Sequence, residues 1–229
     1  MLIVFVVTLL AACATAREGE DLGQTGFLRA PQLLTAGGPG QAQQVYVKPD
    51  VDWASYDKIL LNPITIWRGE ESQLEGVTPA ESQLMANYFY SQLYTELAKD
   101  YQMVTHPEPN TLRISVAIIK LKEANIAMET ISTVSPMAHV VASITAANSK
   151  SPAFVGQASV QANIVDAETN TLLAEGADAR VGNYTLSSLS VDSWADVENI
   201  MNYWVAHAAY VLCTARHASN CVLPSDTTI

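Results

Sequence analysis

At 229 residues with a formal net charge of −11, the chain is acidic and long enough to bury the core of one domain. That charge argues against nucleic acid, whose binding is dominated by cationic contacts to phosphate, and against docking flat on anionic lipid. Acidity is otherwise ordinary and selects no partner.

Residues 2–10 form an uncharged apolar run, with Thr8 its one polar residue, that leads into Leu10-Ala11-Ala12-Cys13. The run is too short to cross a bilayer, which takes about 20 residues. It fits a secretory signal at 1–12 whose small residues suit a cleavage site and present Cys13 for lipidation. No Lys or Arg precedes the run, which points to a start upstream of Met1. Several acyl chains on Cys13 would hold the protein permanently, since one chain binds only marginally. An Asp after the lipidated Cys favours retention on the inner membrane; Ala14 stands there instead, so the expected location is the periplasmic face of the outer membrane.

Residues 13–44, rich in Ala, Gly, Gln and Thr, read as a lipidated tether with one docking patch at Gly26-Phe27-Leu28 and Leu33-Leu34. A single domain is expected over 45–223. Val45-Tyr46-Val47 opens it, Lys48-Pro49-Asp50 turns, and Ile59 to Trp67 predicts a strand, with Pro63 marking an edge or a bulge. Thr78-Pro79-Ala80-Glu81 begins a helix that runs to about Lys99, with Thr78 as cap, Pro79 in the first position and Glu81 completing a capping box. Met85, Phe89, Leu93 and Leu97 form its buried stripe, flanked by Tyr90 and Tyr94.

Leu112, Ile114, Val116 and Ile118 alternate along a strand. Residues 124–151 are apolar, small and nearly uncharged, with Pro136 in the middle, and predict a flap or short helices laid over the sheet, or else a surface for lipid or a partner. Val155–Val165 and Leu172–Val181 predict a hairpin around the turn at Asp166 to Asn170. A last helix begins at Ser193, with Val197, Ile200, Met201, Trp204, Val205, Ala208, Val211 and Leu212 on its apolar side. These elements give an α+β fold: a mainly antiparallel sheet with two amphipathic helices packed on one face.

No nucleophile, base and orienting group are spaced as an active site requires, and Gly-x-Ser-x-Gly, His-Glu-x-x-His and phosphate-binding glycine loops are missing. The reading is therefore non-enzymatic, with no cofactor and no metal. Cys213 and Cys221 predict a disulfide in an oxidising compartment, pinning the last helix to the C-terminal tail. Two free thiols are one alternative; another is a zinc pattern with His217 between the cysteines, though no fourth ligand accompanies them. His207 and His217 read as polar helix surface. Asp178 and Arg180, two apart on a strand, point the same way and form a candidate ligand pair for a charged group such as a peptidoglycan carboxylate. The leading expectation, however, places them on the solvated face of the hairpin, where ion pairs contribute little. Trp194 and Trp204 read as staple and core rather than as sugar-stacking platforms.

With that order of elements, the chain resembles an uncharacterised Gram-negative lipoprotein family, domain of unknown function thirty-three-thirteen. The resemblance rests on Gly26-Phe27-Leu28, Tyr56-Asp57-Lys58-Ile59-Leu60 leading to Pro63 and Trp67, Phe154-Val155-Gly156, Asp166 with Thr169 and Leu173, Asp178 with Arg180, and Ser193-Trp194 followed by Trp204. It departs at Asn170, where Gly is expected in the turn, although Asn tolerates a left-handed backbone. The resemblance implies an anchor and a fold but no reaction. The function expected is a binding or assembly accessory of the cell envelope, held to the membrane by its lipid and working with an envelope protein or with copies of itself. The alternative is a ring-forming structural lipoprotein of a secretion or export assembly.

Overall fold

A computed structural model describes residues 17–18, 22, 25–38, 40–69, 74, 76–124, 155–182 and 193–224. The expected signal, Cys13, Phe154 and the apolar stretch beyond Ala124 lie outside them. In chain order the strands are β1 (Arg17–Glu18), β2 (Thr35–Ala36), β3 (Gln44–Val47), β4 (Lys58–Leu61), β5 (Thr65–Ile66), β6 (Gln102–Met103), β7 (Thr111–Lys122), β8 (Gln157–Asp166) and β9 (Leu172–Val181). Helix α1 (Pro79–Leu97) falls between β5 and β6, and α2 (Ala195–Ala215) follows β9.

The fold is α+β, with both helices on one face of a mainly antiparallel sheet ordered β2-β3-β9-β8-β7-β4-β6; β1 joins β9 and β5 joins β7 off that path. Three long strands, β7, β8 and β9, pair antiparallel in its centre. The parallel pairs β4–β7, β5–β7 and β4–β6 have a local cause. Helix α1 lies between β4 and β7 and carries the chain back to the same end of the sheet, which makes a βαβ crossover.

Ile59 to Trp67 is two strands rather than one. Leu61 faces Ile114 on β7 while Thr65 faces Ala117, so the β4–β5 side carries one extra residue, a bulge centred on Pro63. Proline has no N–H for the ladder. Asn62 N–H still reaches the Ile114 carbonyl (2.9 Å), and Trp67 N–H picks up the Ile118 carbonyl (2.9 Å) beyond the break.

The start of α1 obeys its local signals. Thr78 Oγ1 accepts from Glu81 N–H (3.2 Å), and Glu81 Oε2 accepts in return from Thr78 N–H (2.8 Å). Met85, Phe89, Leu93 and Leu97 are buried against Ile59, Leu112, Ile114 and Val116, and α2 adds Val197, Ile200, Met201 and Trp204 to the same core. Phe89 and Trp204 join the two helices, with ring centroids 6.0 Å apart. Helix α2 starts at Ala195 rather than Ser193, with Trp194 in the capping position. At its other end Cys213 and Cys221 are bridged, with Cα atoms 5.6 Å apart.

The second face of the sheet overturns part of the tether expectation. On β8, Gln157, Ser159, Gln161 and Asn163 alternate with the core-facing residues, yet all four are buried. Residues of the expected tether pack on this side. Thr25 Oγ1 donates to Gln161 Oε1 (2.5 Å), Gln161 Nε2 donates to the Leu22 carbonyl (3.1 Å), and Glu175 accepts from the backbone N–H groups of Arg29 (2.9 Å) and Ala30 (3.0 Å). Buried amides and carboxylates need partners, and the N-terminal backbone supplies them. Residues 17–18, 22, 25–38 and 40–44 therefore belong to the domain.

Candidate functional site

The pleat of β9 places Asp178 and Arg180 on the side that meets α2, and neither is solvated. They are 4% and 6% exposed, respectively, because α2 and the chain entering β3 cover them. Arg180 Nε donates to Asp178 Oδ2 (2.7 Å), Trp204 Nε1 donates to the same oxygen (2.7 Å), and Gln43 N–H donates to Oδ1 (3.1 Å). The Arg180 guanidinium lies 4.5 Å over the Tyr203 ring, and that ring stacks on His207 with centroids 5.8 Å apart. His207 Nε2 donates to the Gly40 carbonyl (2.5 Å). The expectation of a solvated ion pair is thus corrected. A buried carboxylate must be neutralised and hydrogen-bonded, and here three donors reach it. The indole of Trp204 both packs in the core and supplies one of those donors.

A second buried carboxylate sits where α2 begins. Asp196 is 8% exposed and accepts from Gly156 N–H (2.8 Å). Burial pushes its carboxyl above the ordinary carboxylate value, and the Gly156 hydrogen bond opposes that push. The approach needs glycine on both sides: a Cβ at Gly156 would stand 2.7 Å from Asp196 Cβ, and one at Gly182 would stand 2.5 Å from its Cγ. Gly182 N–H also donates to the Gly156 carbonyl (2.9 Å), so the ends of β8 and β9 close around the helix start.

The β8–β9 turn is built on Asp166. Its Oδ1 accepts from Thr169 N–H (2.7 Å), Thr169 Oγ1 (2.9 Å) and Glu168 N–H (3.1 Å), while Oδ2 accepts from Tyr56 (2.9 Å). Burial acts to raise the Asp166 carboxyl, but these hydrogen bonds outweigh it and the group sits below its ordinary value. Burial, then the Asp166 contact, pushes the Tyr56 hydroxyl up to about 12. Asn170 occupies the left-handed region (φ 58°), which explains how it stands where Gly was expected. Arg113 and Arg29 both donate to it.

The bridge between Cys213 and Cys221 takes up both sulfurs, so the zinc reading with His217 is overturned: a bridged sulfur is not a thiolate ligand. His217 lies beyond α2 in a left-handed turn (φ 55°), apart from His207, which is latched to Gly40. Among the described residues no three His, Cys, Asp or Glu side chains gather as a metal-holding group, and no helix is long and apolar enough to cross a membrane.

Beside the Asp178 network lies a chamber of about 200 Å³ between the helices and the sheet. Phe89, Leu93, Leu97, Val160, Trp204 and Leu212 line its buried walls, while Val45, Ala174, Ala208 and Val211 on its lining are half-buried. Gln41, Glu175, Asp178 and His207 are the polar residues on the same lining. Neither this chamber nor the buried polar face of β8 was foreseen from sequence. The available signals were the small residues Ala162, Ala174 and Gly176 among bulky neighbours, and the Gln-x-Ser-x-Gln-x-Asn alternation at 157–163.

A family model described as "Protein of unknown function (DUF3313)" matches residues 23–208. No curated protein matches the chain. Among solved structures, the chain is similar to the PelC dodecamer from Paraburkholderia phytofirmans (10% identity, TM-score 0.42, covering 77% of this chain and 98% of that one). It is also similar to the hypothetical protein CT253 from Chlamydia trachomatis (12% identity, TM-score 0.41, 69% and 99%) and to protein XCC0632 from Xanthomonas campestris (9% identity, TM-score 0.40, 75% and 94%). At these identities and scores, no ligand, partner or assembly is transferred from them.

Proposed function

The chain belongs to the DUF3313 family, and from that premise we propose that it is an exported, lipid-anchored accessory protein of the Gram-negative envelope that acts by binding rather than by catalysis. The observation that carries the reading is the closed Cys213–Cys221 bridge. Structural disulfides persist in oxidising compartments such as the periplasm and are rare in the cytosol. Leu10-Ala11-Ala12-Cys13 supplies the matching address, and Ala14 favours the outer membrane. Asp178, Arg180 and Asp196 are hydrogen-bonded within the fold, which gives these three charges structural roles.

Membrane fractionation with and without Cys13→Ala tests the anchor. The unaltered protein is expected in the outer membrane and the variant away from it; an unaltered protein in the cytosol would refute the reading. Photo-crosslinking in cells tests the accessory role, with probes at Met137 in the apolar stretch and at exposed Thr95 on α1. A discrete crosslink from Met137 alone, to one envelope protein or between copies, is the expected result. Crosslinks of equal pattern from both positions would count against a dedicated surface there.

A further inference from the structure

We propose that the chamber beside Asp178 is a binding site for one short alkyl or acyl chain, a ligand that the accessory reading does not require. The walls argue for an apolar occupant. The space of about 200 Å³ beside Phe89, Leu93, Val160 and Trp204 opens to solvent at one end, and an apolar occupant would remove those apolar walls from water. Ordered water fills it poorly, because a bound water needs two to four polar partners and only Gln41, Glu175, Asp178 and His207 interrupt the apolar lining.

The shape argues for a chain rather than a ring. Phe89, Leu93 and Leu97 on α1 all line the chamber, and eight residues of helix rise about 12 Å. Trp204, Ala208, Val211 and Leu212 run along α2 over a similar length. A volume somewhat above that of a benzene site, drawn out along two helices, suits about six to eight carbons.

The way in is marked by burial and by side-chain size. Phe89, Leu93, Leu97 and Trp204 are closed off from solvent, whereas Ala208 and Val211 on α2 and Val45 and Ala174 on β3 and β9 are half-buried. Ala162, Ala174 and Ala208 hold the space open by their smallness. The loop before β3 lies at this end, latched by the hydrogen bond from His207 to Gly40. A polar head group therefore rests at the rim, by Gln41 and His207, and the chain points towards Phe89.

An acyl chain reaches the chamber as a free fatty acid or as the tail of a membrane lipid, and labelling distinguishes the two. The purified full chain is held in vesicles of phosphatidylethanolamine and phosphatidylglycerol. It is then irradiated with an eight-carbon diazirine fatty acid or with a phospholipid carrying a diazirine in its acyl tail. Label mapped to residues 89–97 and 204–212 is expected from at least one probe, and the probe that gives it names the source. Ala208→Phe, which fills the chamber, is expected to cut that label at least tenfold without lowering the melting temperature; Ala162→Leu serves the same end if the first variant fails to fold. No label at these walls from either probe, or undiminished label in a folded, filled variant, would overturn the proposal.

Discussion

Asp178 and Arg180 show how two charges two residues apart become internal structure once a helix covers them. Removing one leaves the other buried without its counter-charge, which costs about 3–5 kcal/mol, whereas removing both spares much of that penalty. We expect Asp178→Ala and Arg180→Met each to lower stability strongly in denaturant titrations, and the double variant to be more stable than additivity allows. If the two losses simply add, the pair is not coupled. Asp196 gives a prediction in pH. Its carboxyl is held above the ordinary value of 3.8 by burial, so the folded state binds its proton more tightly than the unfolded chain does. This contribution to stability is favourable at low pH and is lost as pH rises from about 4 through the elevated folded value. Asp196→Asn keeps an acceptor for Gly156 N–H and does not ionise. The variant is expected to gain on the parent as pH climbs through that window; parallel stability curves would contradict the assignment.

At the scale of elements, legibility in the sequence follows how local each cause is. The capping box at Thr78, the stripe Met85-Phe89-Leu93-Leu97, the β8–β9 hairpin and the Cys213–Cys221 bridge depend on neighbours within one element or one turn, and each was read in advance. The parallel pairing of β4 with β7 depends on where α1 returns the chain, and the burial of Asp178 depends on α2 and the chain before β3, none of which the spacing of charges records. Glutamine, serine and asparagine alternating on β8 carry the pattern of a wet face, because the residues that cover them lie more than a hundred positions away. The bridge joins cysteines only eight positions apart, at the end of α2. Loop-closure entropy then gives it at most about 2–3 kcal/mol. Reduction is expected to raise amide exchange in the last turns of α2 and to leave β7–β9 protected. Loss of protection across the sheet would mean that the bridge holds the whole domain.

At the scale of the molecule, the sheet is covered on both sides, by α1 and α2 over one face and by N-terminal residues against the polar side chains of the other. Glu175 fastens that second cover through two backbone N–H groups. Glu175→Ala should free the segment around Arg29, which limited trypsin digestion reads as faster cleavage there at unchanged rates elsewhere. Unchanged cleavage at Arg29 would show that other contacts hold the segment. Arg17 and Glu18 already pair with β9, so an anchor at Cys13, as proposed, would leave only residues 14–16 between lipid and fold. Fully extended, those three residues reach no more than about 11 Å, which would keep the domain close to its membrane. The most direct test of this account is the intact mass of the protein purified from its native membrane. A chain that begins at Cys13, carries acyl groups there and has Cys213 and Cys221 oxidised is the predicted result; an unacylated chain that retains residues 1–12, with both thiols reduced, would contradict it.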